Sequence, residues 1–397
     1  MTKITKEQRI QHLLTRTVED VVVRAELEKR LRAGKPLRIK FGIDPTGDRI
    51  HIGHAVVYWK LREFQDLGHQ VVILIGDYTA MIGDSSDKTN ERQMQSREQV
   101  KQNMRSYLKQ IGQIIDLEKA EVRYNSEWLK KLSFLDVLEL ASEFKVAQML
   151  ERDNFRERYE SQKPIGLQEF LYPMMQGYDS VALHADVELG GNDQLFNMMA
   201  GRTLQKRAGQ DPQAVMVMEL LIGTDGKKMS KSQPNCIFVT DAPVDMYGKV
   251  MALNDELIPH YFRLATVVDI EVIAQIESNM SQGDNPRDTK AALAREIVAR
   301  YYGDAAAIEA ENAWEKQFRQ GDMPDDIEVY KADDKELADG IGLLSNAFGV
   351  TKSEVRRLLE QGGVRIDGEL IETVQDLKPK HGSVAQLGKR RYKKISL

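Results

Sequence analysis

The sequence predicts an α/β protein that begins with an open parallel sheet and continues into a helical segment and a small basic unit. Three observations predict it. Residues 37–76 run as strand, loop, helix and buried strand. Residues from 243 to about 320 carry apolar side chains at helical spacing. The charge balance then reverses. Residues 340–397 hold 11 Lys/Arg against 6 Asp/Glu, whereas the preceding 339 residues hold 45 against 55.

The elements follow in order. Residues 37–43, Leu-Arg-Ile-Lys-Phe-Gly-Ile, alternate apolar and polar as a strand does. Asp44-Pro45-Thr46-Gly47-Asp48 interrupts the alternation as a loop. From Gly53 to Leu67 the chain is compatible with a helix, with Gly68 as its cap. Residues 70–76 are almost continuously apolar, the pattern of a strand covered on both faces of a parallel sheet. Such a βαβ unit crosses over right-handedly and binds ligands beyond the carboxyl ends of its strands. The loops at 44–54 and 77–92 therefore lie where a ligand would. Residues 97–180 read as largely helical. The apolar stretch Val215–Ile222 leads into a Gly/Lys/Ser loop at 223–232. Leu293, Ile297, Val298 and Tyr301 form one stripe of the later helical segment, and acidic residues near 321–336 read as a linker.

Composition limits the function classes. A chain of 397 residues suits two or three domains. Its single cysteine, Cys236, excludes an internal disulfide framework and any cysteine-cluster metal site. No resident metal site and no membrane association are expected, since no apolar run approaches the roughly 20 residues of a membrane span. The N-terminus is charged within six residues, at Lys3 and Lys6, and no apolar run suits a signal peptide. A basic end on an acidic body fits an anion-binding module, or a solvated tail.

Two motifs carry chemistry. His51-Ile52-Gly53-His54 lies between the first strand and its helix. Histidines three apart at a helix start share a face and can donate to an anion there, assisted by the helix dipole. Gly53 leaves room for close approach to the backbone. The second motif, Lys227-Lys228-Met229-Ser230-Lys231-Ser232, is a cationic loop able to fold over a polyphosphate. Neither motif alone exceeds a chance pair of histidines or a solvated basic loop. The glycine-rich P-loop consensus is absent.

Together, HIGH after the first strand and KMSKS about 180 residues later resemble the paired signatures of class I aminoacyl-tRNA synthetases. The segment Phe170–Asp179 is similar to the amino-acid-binding helix of the tyrosyl-tRNA synthetases, and the wording of residues 38–92 to a second bacterial branch of that family. Tyr172, Gln176 and Asp179 stand at i, i+4 and i+7, so they face one way. The resemblance implies a Rossmann-like catalytic domain at 1–232, a helical anticodon-binding-type domain at 233–330, a linker at 331–339 and a small α+β RNA-binding domain at 340–397. It implies a cytoplasmic homodimer that takes ATP, tyrosine and the tRNA specific for tyrosine, with Mg2+ carried by ATP. Thr46, His51, His54, Lys228 and Lys231 would serve catalysis. Gly53, Lys88, Arg92, Gly191, Asp193 and Gln194, with the two loop lysines, would hold ATP. Lys40, Asp44, Thr79, Asp84, Tyr172, Gln176 and Asp179 would hold tyrosine, Asp84 by the α-ammonium and Asp179 by the phenol.

One position departs from the better-known branch of the family, which carries a tyrosine four residues before the loop aspartate. Here that residue is Lys40. It could bond the phenolic oxygen, pair with Asp179 or point away. The terminal segment Ser353–Gly368 resembles a small RNA-binding domain also found in a ribosomal protein, which implies RNA contacts for Lys352, Arg356, Arg357 and Arg365. The tryptophanyl enzymes share the expected fold; Asp179 and the basic terminal unit argue against them.

Overall fold

The computed structural model describes residues 5–45, 49–84, 97–229, 235–319, 327–332, 336, 339–371, 373–377, 380–388 and 391–396. It forms two compact units, Met1–Glu311 and Asn312–Leu397. The first holds a six-stranded sheet of β1 (Val18–Val22), β2 (Arg38–Ile43), β3 (Gln70–Ile75), β4 (Glu121–Tyr124), β5 (Val187–Gly191) and β6 (Ala214–Met218) in the order β1-β6-β5-β2-β3-β4. All neighbours are parallel except β1, which runs antiparallel to β6. The strand, helix and strand read at 37–76 are β2, helix Ile52–Asp66 and β3. Val71–Ile75 of β3 are all buried, as a centrally placed parallel strand requires.

Chain order reverses between β2 and β5. From β2 the chain crosses to β3 on one side, and from β5 to β6 on the other. A crevice opens at such a switch point beyond the strands' carboxyl ends. The loops after β2, β3, β5 and β6 converge there. Helix Leu167–Leu183 packs closely on helix Leu195–Arg207 and forms one wall. Gly177 permits the approach, since a Cβ on it would lie 2.9 Å from the backbone carbon of Ala200.

The expected helical stretch from 243 is present as Pro243–Met251, Ile258–Ala265, Ile270–Ser281, Pro286–Tyr302 and Asp304–Arg319. Of the stripe read in Pro286–Tyr302, Leu293, Ile297 and Val298 are fully buried. Through residue 311 this segment belongs to the same compact unit as the sheet, so the boundary expected at 232/233 does not separate two units. Tyr302 donates its hydroxyl to the carbonyls of Val239 (3.0 Å) and Asp241 (2.7 Å), and Arg16 donates to those of Thr266 (2.7 Å) and Val268 (2.6 Å).

The second unit carries β7 (Val329–Lys331), β8 (Val364–Ile366), β9 (Glu369–Leu370), β10 (Val384–Leu387) and β11 (Arg391–Ser396), ordered β7-β11-β10-β8-β9. Helices Gly340–Phe348 and Lys352–Glu360 complete it. Leu343, Leu344, Val355, Val364, Ala385, Leu387 and Ile395 form its fully buried core. β7 pairs parallel with β11, so this unit begins before 340, and the expected linker at 331–339 starts inside a strand. Val355 and Leu359 face the core, which turns Lys352, Arg356 and Arg357 of the same helix outward. Lys352 pairs with Asp339 at 2.7 Å, and exposed Arg365 donates to the Gly368 carbonyl at 3.1 Å.

Candidate active site

A cavity of about 710 Å³ occupies the crevice. Every described residue expected to serve catalysis, ATP or tyrosine lines it, from Lys40 on β2 to Lys228 beyond β6. Thr46, Lys88, Arg92 and Lys231 lie outside the described residues.

At one end is the start of helix Ile52–Asp66. His51 is its N-cap, and its Nδ1 accepts from the His54 backbone N–H at 3.3 Å. With Nδ1 accepting, a neutral His51 carries its proton on Nε2 as a donor. The rings of His51 and His54 stack with centroids 3.7 Å apart. Gly53 has no room for a side chain: a Cβ there would lie 2.9 Å from His51 Nδ1 and 3.2 Å from Met229 sulfur. The stacked imidazoles thus stand beside the N-terminal dipole of a 15-residue helix, an arrangement suited to an anion.

Lys228 and Met229, the described part of the KMSKS motif, line the cavity beside them. Asn235 ties the motif's approach, donating to Asp225 Oδ1 (3.0 Å) and to the Lys228 carbonyl (3.2 Å). Met229 is buried, while Lys228 is about half exposed with its ammonium 3.9 Å from Asp193. Gly191 and Asp193 follow β5; a Cβ on Gly191 would meet Asp193 Oδ1 at 2.6 Å. Gln194 donates to Asp84 Oδ2 at 2.6 Å and accepts from Asn197 at 3.0 Å, which joins the turn after β5 to the loop after β3.

At the other end the polar groups form a chain. Tyr172 Oη donates to Asp44 Oδ2 (2.9 Å), and Thr79 Oγ1 donates to Asp44 Oδ1 (2.8 Å). Asn125 Nδ2 donates to Thr79 Oγ1 (2.9 Å) and to Asp179 Oδ2 (3.3 Å), and Trp128 Nε1 donates to Asp179 Oδ1 (2.7 Å). Burial holds the Tyr172 hydroxyl well above its usual range, with the Asp44 charge adding to it, so it is a neutral donor. Asp179 is 2% exposed. Burial raises its carboxyl to about 7, against the opposing pull of Lys40 and the bonds from Trp128 and Asn125. A buried carboxyl with a strongly raised value in a cleft is a candidate binding group.

Lys40 does not pair with Asp179, one of the courses the sequence left open. It pairs with Glu188 on neighbouring β5, Nζ to Oε1 at 2.9 Å, with both residues fully buried. The β2–β5 register sets Lys40 directly opposite Glu188. Sequence reasoning missed Glu188, Asn125 and Trp128. Glu188 had a signal: a carboxylate between Val187 and Leu189 in an apolar strand needs a buried partner. Asn125 and Trp128 had none, because they follow an edge strand within a stretch read as helical.

A Rossmann-type crevice with HIGH at its helix start and KMSKS opposite defines a class I tRNA synthetase. The family described as "tRNA synthetases class I (W and Y)" matches residues 32–319. Over 387 residues the chain is 46% identical to the tyrosine–tRNA ligase of Haemophilus influenzae, covering 97% of this chain and 96% of that one. Over 397 residues it is 45% identical to the tyrosine–tRNA ligase of Thermotoga maritima, covering 99% and 98%. The chain belongs to the bacterial tyrosine–tRNA ligases. Solved structures agree in fold. The Archaeoglobus fulgidus tyrosyl-tRNA synthetase with L-tyrosine gives a TM-score of 0.61 at 22% identity, covering 77% of this chain and 100% of that one. The truncated mitochondrial enzyme of Aspergillus nidulans gives 0.64 at 24%, covering 80% and 94%. The reaction is ATP-dependent ligation of tyrosine to tRNA through tyrosyl adenylate and pyrophosphate.

Proposed function

We propose that the two ends of this one cavity divide the reaction between them. The observation that carries the reading is their placement: the His51/His54 pair and Lys228 at one end, and the Tyr172, Gln176 and Asp179 face at the other, line a single space. Tyrosine enters with its phenol donating to Asp179 and its ammonium near Asp84, Tyr172 and Gln176. ATP lies over Gly53 and Gly191, with its ribose hydroxyls donating to Asp193. A tyrosine carboxylate oxygen attacks the α-phosphorus, and the bond from that phosphorus to the bridging oxygen breaks to release pyrophosphate. No side chain serves as nucleophile; the residues position and stabilise charge. Thr46, His51 and His54 hold the phosphate oxygens as the phosphorus becomes five-coordinate. Lys228, Lys231, Lys88 and Arg92 receive the pyrophosphate charge. A ribose hydroxyl of the terminal adenosine of tRNA then attacks the adenylate carbonyl, and AMP departs. ATP–pyrophosphate exchange with each amino acid tests the reading, which requires exchange with tyrosine and none with tryptophan.

Mg2+ would supply charge neutralisation on the ATP phosphates. The ion would arrive with the nucleotide; among the described residues no group of three His, Cys, Asp or Glu is placed to hold a metal. Outward-facing Lys352, Arg356, Arg357 and Arg365 give the terminal unit the salt-sensitive phosphate contacts of an RNA-binding surface. The homodimer reading rests on an apolar surface: Phe134 (80% exposed), Leu135, Leu138 and Val146 lie on the short helices Phe134–Ser142 and Val146–Leu150, and exposed Leu167 opens helix Leu167–Leu183. Exposure of so many large apolar side chains within one region is the mark of an interaction face. A cytoplasmic location belongs to the same proposal and rests on the family resemblance. No described helix is long and apolar enough to cross a membrane.

A further inference from the structure

At the tyrosine end of the cavity a buried polar cluster joins β2, β5 and helix Leu167–Leu183. Lys40 Nζ donates to Glu188 Oε1 (2.9 Å), to the Gln176 carbonyl (2.9 Å) and to Ser180 Oγ (2.8 Å). An ammonium has three donors, and three acceptors take them. Ser180 Oγ passes its own hydrogen to Glu188 Oε2 (3.1 Å), which also accepts from Gln213 Nε2 (2.5 Å). Glu188 Oε1 accepts a second bond, from Gln176 Nε2 at 3.2 Å. Lys40, Ser180, Glu188 and Gln213 are all fully buried, and Lys40, Glu188 and the less buried Gln176 line the cavity.

The geometry points to Lys40 and Glu188 as a buried positioning pair that sets the amide polarity of Gln176, and thereby the recognition of the substrate's α-ammonium, without touching the phenol. This rests on the reading of Gln176 as a tyrosine-binding residue. The reason is chemical. An amide has a donor side and an acceptor side that a half-turn of its last torsion exchanges. An ionised carboxylate accepts only, so Glu188 can meet only the nitrogen of Gln176. The oxygen is then left for the cavity, where it can accept from an ammonium; the reverse orientation would present N–H to a cation. Lys40 compensates the buried Glu188 charge and grips the Gln176 backbone in the same turn. One cation thus fixes both ends of the residue. Removing one partner of such a pair strands a buried charge, whereas replacing both with apolar residues of similar size often leaves the fold intact.

The test compares tyrosine with 3-(4-hydroxyphenyl)propionate, which lacks only the amino group. Dissociation constants are measured by calorimetry for the wild type, Glu188→Met, the double variant Lys40→Met/Glu188→Met and Gln176→Ala. The preference for tyrosine over the desamino acid should fall about tenfold or more in the double variant, the loss of a charge-assisted hydrogen bond. In the same variant the preference for tyrosine over phenylalanine in pyrophosphate exchange should hold, since both carry the ammonium. The double variant keeps the test valid should Glu188→Met fail to fold. A folded double variant that retains the desamino preference overturns the proposal. If Gln176→Ala loses the preference in parallel, the positioning role alone has failed. If Gln176→Ala keeps it too, the substrate role of Gln176 has failed and the proposal with it.

Discussion

Lys40 Nζ lies 2.9 Å from Glu188 Oε1, a buried ion pair across β2 and β5 that runs beside Asp179 without bonding to it. The consequence is a division of labour. The position that carries a phenol-binding tyrosine in the better-known branch of the family is here committed to the protein's own interior. On the proposed reading, recognition of the phenol falls to Asp179, held between Trp128 and Asn125.

Asp179 should make stability and ligand binding pH-dependent. Its carboxyl titrates near 7 when folded, against an ordinary value of 3.8. Between those limits the folded state keeps a proton that the unfolded state has lost, so stability falls as pH rises and levels off above about 7. The span corresponds to a loss on the order of 4 kcal/mol. Asp179→Asn removes it. The melting temperature of the variant minus that of the wild type, without ligand, should therefore increase from about pH 5.5 to about pH 8. A difference independent of pH would place the titration elsewhere. Tyrosine affinity in the wild type should rise through the same range, as the acceptor becomes ionised.

His51→Ala and His54→Ala should each lower kcat for adenylate formation about 10²- to 10³-fold and leave the KM for tyrosine nearly unchanged. His51 also caps its helix, so thermal unfolding must accompany the kinetics; a lost cap costs about 1 kcal/mol, far less than the kinetic effect. Unchanged kcat in both variants would remove the pair from the chemistry.

Removing the terminal unit should leave tyrosine-dependent exchange largely intact and weaken tRNA charging, most strongly at low salt, where its phosphate contacts contribute most. Because β7 belongs to that unit's sheet, the deletion must remove residues 327–397 rather than 340–397. Loss of exchange in a folded truncation would tie the unit to adenylate formation.

Sedimentation at micromolar concentration should give a mass near twice 45.2 kDa. Phe134→Asp with Leu138→Asp should shift it toward one chain, since a charge at each apolar contact opposes burial. A wild-type mass of one chain would contradict the dimer.

Much of this was legible in the sequence, and the limits were physical. β2, helix Ile52–Asp66 and β3 declared themselves because apolar periodicity is strong where a sheet is covered on both faces. β4, Glu-Val-Arg-Tyr, did not, because an edge strand half open to solvent has no apolar run to report. β5 did not declare itself either, since its last two residues, Gly190 and Gly191, mask a strand that begins Val-Glu-Leu. The cavity residues carried by motifs were found one by one. Their partners were not: Lys40 and Glu188 are 148 positions apart, and only the pairing of β2 with β5 makes them neighbours.

If Asp179, and not Lys40, selects the phenol, substitutions at the two positions must separate in their effect on selectivity. The most direct measurement is kcat/KM for tyrosine and for phenylalanine in pyrophosphate exchange by the wild type, Asp179→Asn and Lys40→Met. A site built to bond the hydroxyl rejects phenylalanine by about 10⁴–10⁵-fold, a figure the tyrosyl enzymes themselves supply. Asp179→Asn should erase most of that ratio. Lys40→Met, which shifts the pocket only through Glu188 and Gln176, should reduce both rates while costing the ratio no more than about 1.5–3 kcal/mol. A larger loss of selectivity in Lys40→Met than in Asp179→Asn would contradict the claim.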